Sequence, residues 1–337
     1  MIEYADVIVD LQAGDTGKGK VCNTLSQIQN EYTHVIRYNG GGNAGHTIYK
    51  KGKKMVTHFI PSGIVNGVKS IIGPGCVVNP IKLLQEIQQL ESNGVEVIGN
   101  LFIDKRVHII TPEHIDKDST DTKIGTTKTG NGPCYSDKYS RNGNRAENAE
   151  ILEPFIIDIY DELHNNGTSK ILFEGAQGFE LDVDWGDYPY VTSSHCTVGS
   201  AVLNGVPPQR IRKVYGVCKA YNTYVGAKEF ESEKDKKVFE RIREVGNEYG
   251  STTGRPRQIG WTNVDDLIKS SNINGVTHLV VNKVDVLEKV ETFKLICKNE
   301  LINFVDKEFF KMFLEQLIKK NCPTIREIIF SESAETI

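Results

Sequence analysis

Short β-branched runs recur along the chain at Val7–Val9, Val35–Arg37, Ser70–Ile72, Ile171–Phe173, Val214–Val217 and Leu279–Val281. Between them the apolar spacing changes. In Pro80–Ser92 it becomes three and four (Ile81, Leu84, Ile87, Leu90), which predicts a helix after the turn Gly73-Pro74-Gly75. Residues 148–164 and 305–319 read as helices in the same way. Several of the runs lead straight into Gly-rich loops, the pattern of strands whose carboxyl ends carry a site. The polar stretch 111–147 shows no core periodicity and reads as one long irregular, functional segment. There are no repeats and no low-complexity linker. The expectation is α/β: a single large domain over residues 1–337, built around a mainly parallel central sheet, with P-loop-like phosphate loops and irregular excursions.

Composition narrows the class. The 337 residues are 39% hydrophobic and 25% charged, with a formal net charge of -4, so a large core is available and a general nucleic-acid binder is disfavoured. The expectation is no nucleic acid and no membrane, since no apolar run reaches spanning length. The N-terminus lacks a basic-then-apolar leader, which predicts a cytoplasmic protein. The 7 cysteines show no metal spacing and read as packed free thiols.

Candidate chemistry starts at Gly14-Asp-Thr-Gly-Lys-Gly-Lys20, directly after the first apolar run. Glycine amides and lysines suit an anion, and the spacing is that of a phosphate loop. Val21 stands where a Mg²⁺-binding hydroxyl would normally follow, and Asp15 is the obvious substitute. A carboxylate in such a loop repels phosphate unless a metal or a reacting proton accounts for it. A second Gly-rich loop, residues 39–47, offers Asn43 and His46. Asn282-Lys-Val-Asp285 fits the arrangement that reads guanine, with a carboxylate accepting from two base donors. Ser251-Thr-Thr-Gly-Arg-Pro-Arg257 places guanidinium forks on a turn, suited to carboxylates.

Taken in order, these loops resemble the adenylosuccinate synthetase family nearly end to end. The carrying motifs are the 14–20 and 39–47 loops, Ile60-Pro-Ser-Gly-Ile64, Gly73–Val78, Ile124-Gly-Thr-Thr127 with Gly130-Asn-Gly-Pro133, Phe173-Glu-Gly-Ala-Gln-Gly178, Tyr188–Ser194 and Thr252–Trp261. The chain is short for the family and nearer its compact archaeal and viral forms. The resemblance implies a ligase in which GTP phosphorylates the 6-oxygen of a purine nucleotide and L-aspartate displaces that phosphate. It implies Asp15, His46 and Gln177 as catalytic residues, with Asp15 the base and His46 the acid. Mg²⁺ would sit on Asp15 and the Gly45 carbonyl. Asn43, Thr127, Arg141, Gln177 and Thr192 would hold the purine monophosphate, with Arg141 reaching the neighbouring subunit of a homodimer. Thr253, Arg255 and Arg257 would bind L-aspartate. Gly14, Thr16, Gly17, Lys18, Gly19, Lys283 and Asp285 would serve GTP.

Four departures from the family pattern bear on the substrate. Ala13 replaces Trp, Thr16 replaces Glu and Gly42 replaces His, which is expected to open room beside the acceptor, and Tyr224 replaces an Arg. The run Asp10-Leu-Gln-x-Gly-x-Thr-Gly-Lys-Gly19 resembles the viral branch that accepts dGMP, although that branch commonly has Ser at position 15. Asp15 serves either base: it can accept N1–H from hypoxanthine, or N1–H with the 2-amino group from guanine. The reading favours dGMP, with IMP as the alternative. Ser331-Glu-Ser-Ala334 replaces a turn that packs on the GTP base, so another purine donor is conceivable. Two rivals are a P-loop GTPase, which would need Ser or Thr after Lys20, and a silent nucleotide sensor, which would not need Asp15, His46, Gln177 and Arg255.

Overall fold

In a computed structural model, which describes residues 1–50, 52–250, 254–333, 335 and 337, nine strands form one sheet. They are β1 (Ile2–Asp10), β2 (His34–Arg37), β3 (Lys69–Ile72), β4 (Leu101–Asp104), β5 (Ile156–Ile157), β6 (Ser169–Glu174), β7 (Ile211–Lys219), β8 (His278–Asn282) and β9 (Glu327–Phe330). Their order across the sheet is β9-β8-β7-β1-β6-β2-β3-β4-β5. Every neighbouring pair is parallel. The six β-branched runs all fall inside these strands. Parallel strands are covered on both faces, which is why Val7, Ile8 and Val9 are each fully buried rather than alternating.

The topology positions the site. β1 lies between β6 and β7; the chain leaves β1 for β2 on one side and leaves β7 for β8 on the other, so the loop after β1 opens where the direction of the connections reverses. The carboxyl ends of five adjacent strands carry buried polar side chains: Asn282 (β8), Lys219 (β7), Asp10 (β1), Glu174 (β6) and Arg37 (β2). Each is compensated: Arg37 pairs with Glu174, Lys219 with Glu248 and Asp10 with Lys18, and Asn282 donates to the Thr16 carbonyl.

Two of the expected helices hold: α2 runs Pro80–Ser92 and a later helix runs Lys307–Asn321. The buried face of α2 differs from the expected stripe, being Leu83, Glu86, Ile87 and Leu90, with Ile81 57% exposed. Glu86 is buried because its carboxylate accepts the backbone N–H groups of His58, Phe59 and Ile60, anchoring the Ile-Pro-Ser-Gly turn. Residues 148–164 are not one helix. The 3-10 turn Glu150–Phe155, the strand β5 and the short helix Ile159–Asn165 share that span, because Pro154 lacks the N–H a helix needs there. The stretch 111–147 is less irregular than expected and contains α3 (Pro112–Ser119) and α4 (Asn131–Ser140). Their faces are mostly polar, so no apolar period announces them. Six of the cysteines are buried and all are free thiols. Among the described residues no helix is long and apolar enough to cross a membrane.

Candidate active site

The loop after β1 turns sharply, with positive φ at Gly14 (90°), Asp15 (56°) and Gly17 (104°). Gly17 is required twice over: its φ disfavours other residues, and a Cβ there would lie 2.8 Å from Asn282 Nδ2. That amide donates to the Thr16 carbonyl at 2.7 Å, so the Asn of Asn-Lys-x-Asp pins the phosphate loop. The loop runs into α1 (Lys18–Ser26). A Cβ on Gly19 would come within 2.6 Å of the His46 Cβ, so glycine lets α1 lie against the second loop.

Asp10 organises the first loop from beneath. It accepts from the Gln12 N–H at 2.9 Å, the Thr16 hydroxyl at 2.5 Å and the Lys18 ammonium at 2.7 Å. Lys18 also donates to the Gln177 carbonyl at 2.6 Å, linking this loop to the Gly-Ala-Gln turn after β6. Thr16 is therefore turned onto Asp10 and away from any ligand.

His46 is held by Glu174. Nδ1 lies 2.5 Å from Oε1, and Ser62 donates to the same carboxylate from its N–H (2.7 Å) and its hydroxyl (2.6 Å). Arg37 Nη2 sits 3.1 Å from His46 Nδ1 and 3.5 Å from Glu174 Oε2, compensating the buried carboxylate. Burial would raise Glu174, but the charges of Arg37 and His46 hold it at about 2. Burial and Arg37 together push the imidazole down to about 4, against the pull of Glu174. The carboxylate fixes Nδ1 as the donor and leaves Nε2 for the cavity His46 lines.

A third ionic cluster stands at the ends of β7 and the 248–257 turn. Arg257 donates from Nε to Asp15 Oδ2 at 2.9 Å and from Nη1 to Glu248 Oε2 at 2.5 Å. Lys219 (2.9 Å) and Tyr221 (2.6 Å) donate to the same fully buried Glu248. Burial opposes its ionisation, yet Lys219 and Arg257 hold it at about 2. Burial brings Lys219 down to about 8, with Arg257 adding to the effect.

One side chain of each cluster (Lys18, His46 and Asp15) lines a cavity of ≈ 650 Å³, large enough for a nucleotide, whereas Arg257 meets it only through Asp15. Of the expected residues, Gly14, Asp15, Lys18, Asn43, Gly45, His46, Thr127, Gln177, Thr192 and Arg255 line it. Arg255 reaches over the rim to the carbonyls of Gly125 and Thr126, at 3.3–3.4 Å. Among the described residues, the Asn43 and Gln177 side-chain oxygens are buried without a hydrogen-bond partner, as are both polar atoms of Asn131. Such orphans cost about 1–3 kcal/mol each unless something else satisfies them, and all three side chains line this cavity.

Other expected residues lie elsewhere. Thr16, Gly17 and Gly19 form the loop's inner side and do not line the cavity. Lys283 and Asp285 sit beyond the phosphate loop: Lys283 donates to the Gly246 carbonyl at 2.8 Å, and Asp285 lies 3.4 Å from Lys289. Lys20 is their neighbour. Burial and Lys283 lower it to about 8 against Asp285, and it donates to the Ser331 hydroxyl and the Ser333 carbonyl. Arg141 is exposed at the end of α4, away from the cavity. Thr253 lies outside the described residues.

The room expected from the departures is present only in part. Ala13 and Tyr224 line the cavity. A Cβ on Gly42, however, would meet the Phe59 ring at 2.5 Å, so Phe59 already fills that space, and Thr16 is committed to Asp10. Arg37, Glu174, Lys219, Glu248 and Asn131 were not singled out from the sequence. Glu174 had the clearest signal: a carboxylate closing an apolar strand within Phe-Glu-Gly-Ala-Gln-Gly.

Asp15 and Gly45 line the same cavity, bringing a carboxylate and a backbone carbonyl to it, and no group of three His, Cys, Asp or Glu that could hold a metal occurs among the described residues. Such a pair suits Mg²⁺, which takes one or two carboxylates and completes its shell with substrate phosphates and water.

Comparison with known proteins agrees with this geometry. The adenylosuccinate synthetase family model matches residues 7–149 and 145–324. The adenylosuccinate synthetase of Thermodesulfovibrio yellowstonii is 38% identical over 371 aligned positions, covering 95% of this chain and 86% of its own. That of Chlorobaculum parvum is 40% identical over 360, covering 91% and 81%. The fully ligated adenylosuccinate synthetase from Plasmodium falciparum superposes with a TM-score of 0.84 at 28% identity, covering 98% of both chains. The succinoaminodeoxyadenylate synthetase of cyanophage S-2L, bound to dGMP with dATP as energy donor, has a TM-score of 0.77 at 21% identity, covering 99% of this chain and 94% of its own. At that identity the likeness is one of fold.

Proposed function

This chain belongs to the adenylosuccinate synthetase family and is a carbon–nitrogen ligase, and we propose that it phosphorylates the 6-oxygen of dGMP and joins L-aspartate at that carbon. The family works generally with GTP and Mg²⁺, and both are proposed for this chain. The observation that carries the reading is that Asp15, His46, Asn43, Thr127, Gln177, Thr192 and Arg255 share one cavity.

The proposed steps rest on the family resemblance together with this geometry. Asp15 accepts the purine N1 proton, which turns the 6-oxygen into a nucleophile toward the terminal phosphoryl group of GTP. Lys18, immobilised by Asp10 and the Gln177 carbonyl, meets developing negative charge without reorganising. The residues fit Mg²⁺, held by Asp15 and the Gly45 carbonyl, which would supply charge neutralisation for the phosphoryl oxygens. His46 donates from Nε2 once a phosphoryl oxygen offsets the burial and the Arg37 charge that hold it low. Arg255 and Arg257, with Thr253, take the carboxylates of L-aspartate, whose amine displaces the phosphate. Lys283 and Asp285 read the guanine of GTP on the far side of the loop, with Lys20 between. One sheet draws strands from both ends of the chain, which supports a single working domain, and Arg141 is proposed to serve the partner's site in a homodimer.

For the acceptor, dGMP is supported by the space at Ala13, which lines the cavity, and by the likeness of the 10–19 run to the viral branch, while the Asp15 carboxylate serves either base. IMP is the second reading, favoured by the 38–40% identity to adenylosuccinate synthetases. The test is a panel of IMP, dIMP, GMP and dGMP with GTP, Mg²⁺ and aspartate, read by mass spectrometry of the succinyl product. Product only from hypoxanthine acceptors would exclude dGMP. Nucleotide binding without aspartate-dependent phosphate release would mark a sensor instead.

A further inference from the structure

We infer that Asn131, at the start of α4, is a specificity-determining residue that binds the acceptor's 5′-phosphate and an adjoining sugar hydroxyl. The inference rests on the reading that this cavity takes a purine monophosphate.

Asn131 is 8% exposed, lines the cavity with Gly132 and Pro133, and leaves both Oδ1 and Nδ2 without a partner among the described residues. Nothing in the packing demands an amide. Gly41 is pressed so close that a Cβ there would stand 2.8 Å from Oδ1, yet Gly41 offers that oxygen no hydrogen bond. An apolar side chain of the same size would bury without leaving polar groups unpaired.

The surroundings point to an anion. Asn131 and Gly132 open a ten-residue helix, so their N–H groups have no intrahelical acceptor and lie at its positive end. The preceding turn is fixed: Gly130 has φ 81°, and its N–H donates to Asp118 at 2.8 Å. Thr127 and Thr129, whose hydroxyls lie 2.9 Å apart, line the same wall. An amide presents a donor and an acceptor side by side. Nδ2 suits a phosphoryl oxygen, while Oδ1 requires a hydrogen, which phosphate does not offer at neutral pH and a neighbouring sugar hydroxyl does.

The test uses the full chain with Asn131→Leu and Asn131→Asp. Asn131→Leu should leave the melting temperature unchanged or higher, because two buried orphans vanish. It should also raise the KM for the acceptor nucleotide tenfold or more, with the KM values for GTP and aspartate within twofold. Asn131→Asp should raise the acceptor KM further, since it trades the donor for a charge facing phosphate. Calorimetric titration of each acceptor nucleotide and its nucleoside keeps the test independent of turnover: wild type should prefer the nucleotide, and Asn131→Leu should shrink that preference. If wild type turns over none of the panel, the functional reading fails while the titrations still decide this one. The inference is overturned if acceptor affinity stays within twofold, if nucleotide and nucleoside weaken equally, or if Asn131→Leu lowers the melting temperature and shifts all three KM values together.

Discussion

Arg257 bridges two carboxylates, Asp15 at 2.9 Å and buried Glu248 at 2.5 Å, so the proposed base and the proposed aspartate-binding turn are in direct contact. The amino-acid substrate offers carboxylates that compete for the same guanidinium fork. The base and the second substrate therefore share one residue.

Asp15→Asn keeps the shape of the loop but cannot accept a ring proton. Turnover should fall by about 10²–10⁴-fold while GTP and acceptor still bind in calorimetry. Retention of most of the wild-type rate would remove Asp15 as the base.

Arg257→Leu removes the shared fork and leaves Glu248 with Lys219 and Tyr221. The KM for aspartate should rise roughly tenfold to hundredfold, as expected for losing a charged hydrogen bond. Steady-state kinetics with varied aspartate read this directly, and an unchanged KM would dissociate Arg257 from the amino acid.

His46 makes stability depend on pH. Its folded value, about 4, lies below the ordinary 6.5, so the folded state resists the proton that the unfolded chain accepts. The stability His46 contributes is full above pH 6.5 and is lost as pH falls toward 4. His108, also lowered to about 4, adds to the same slope. Glu174 acts in the next window: its contribution is present above about 4.5 and is lost as pH falls through about 2. Melting curves of His46→Gln should show a shallower slope between pH 6.5 and 4 than wild type. Parallel slopes would mean that the imidazole is not held neutral by the fold.

Asp285→Asn should relax the choice of donor, since the lost carboxylate accepts from two guanine groups that adenine lacks. The GTP-to-ATP ratio of kcat/KM should drop roughly tenfold to hundredfold, the scale of one bidentate base contact. An unaltered ratio would assign base reading to other residues.

Arg141→Leu should raise the acceptor KM although Arg141 is exposed and away from its own chain's cavity. Mixed with Asp15→Asn, it should recover about one quarter of wild-type activity, because half of randomly paired dimers then hold one intact site. Verified mixed dimers without recovery would rule out a shared site.

Much of this architecture was legible in the chain. The apolar runs gave six of the nine strands, because a parallel strand covered on both faces leaves a continuous β-branched signature. The phosphate loop could be read because an anion-binding turn needs glycine at particular places: Gly17 faces Asn282, and Gly19 faces His46. The helices at 112–119 and 131–140 were hidden, since their mostly polar faces carry no period to detect. The apolar spacing of 148–164 by itself predicts one helix, and Pro154 breaks it.

The sequence by itself determined the reactive groups and their spacing within each loop: Asp15 in the first, His46 in the second, the arginines in the third. Tertiary structure alone decided which of them share a charge. Glu174 reaches His46 from 128 residues away and Arg257 reaches Asp15 from 242. It also turned Thr16 onto Asp10, filled the space at Gly42 with Phe59, and buried both polar atoms of Asn131 without a protein partner among the described residues. Local spacing follows from the covalent chain. The strength of a charge or an orphaned amide depends on the dielectric and on partners that only folding brings within a few ångströms.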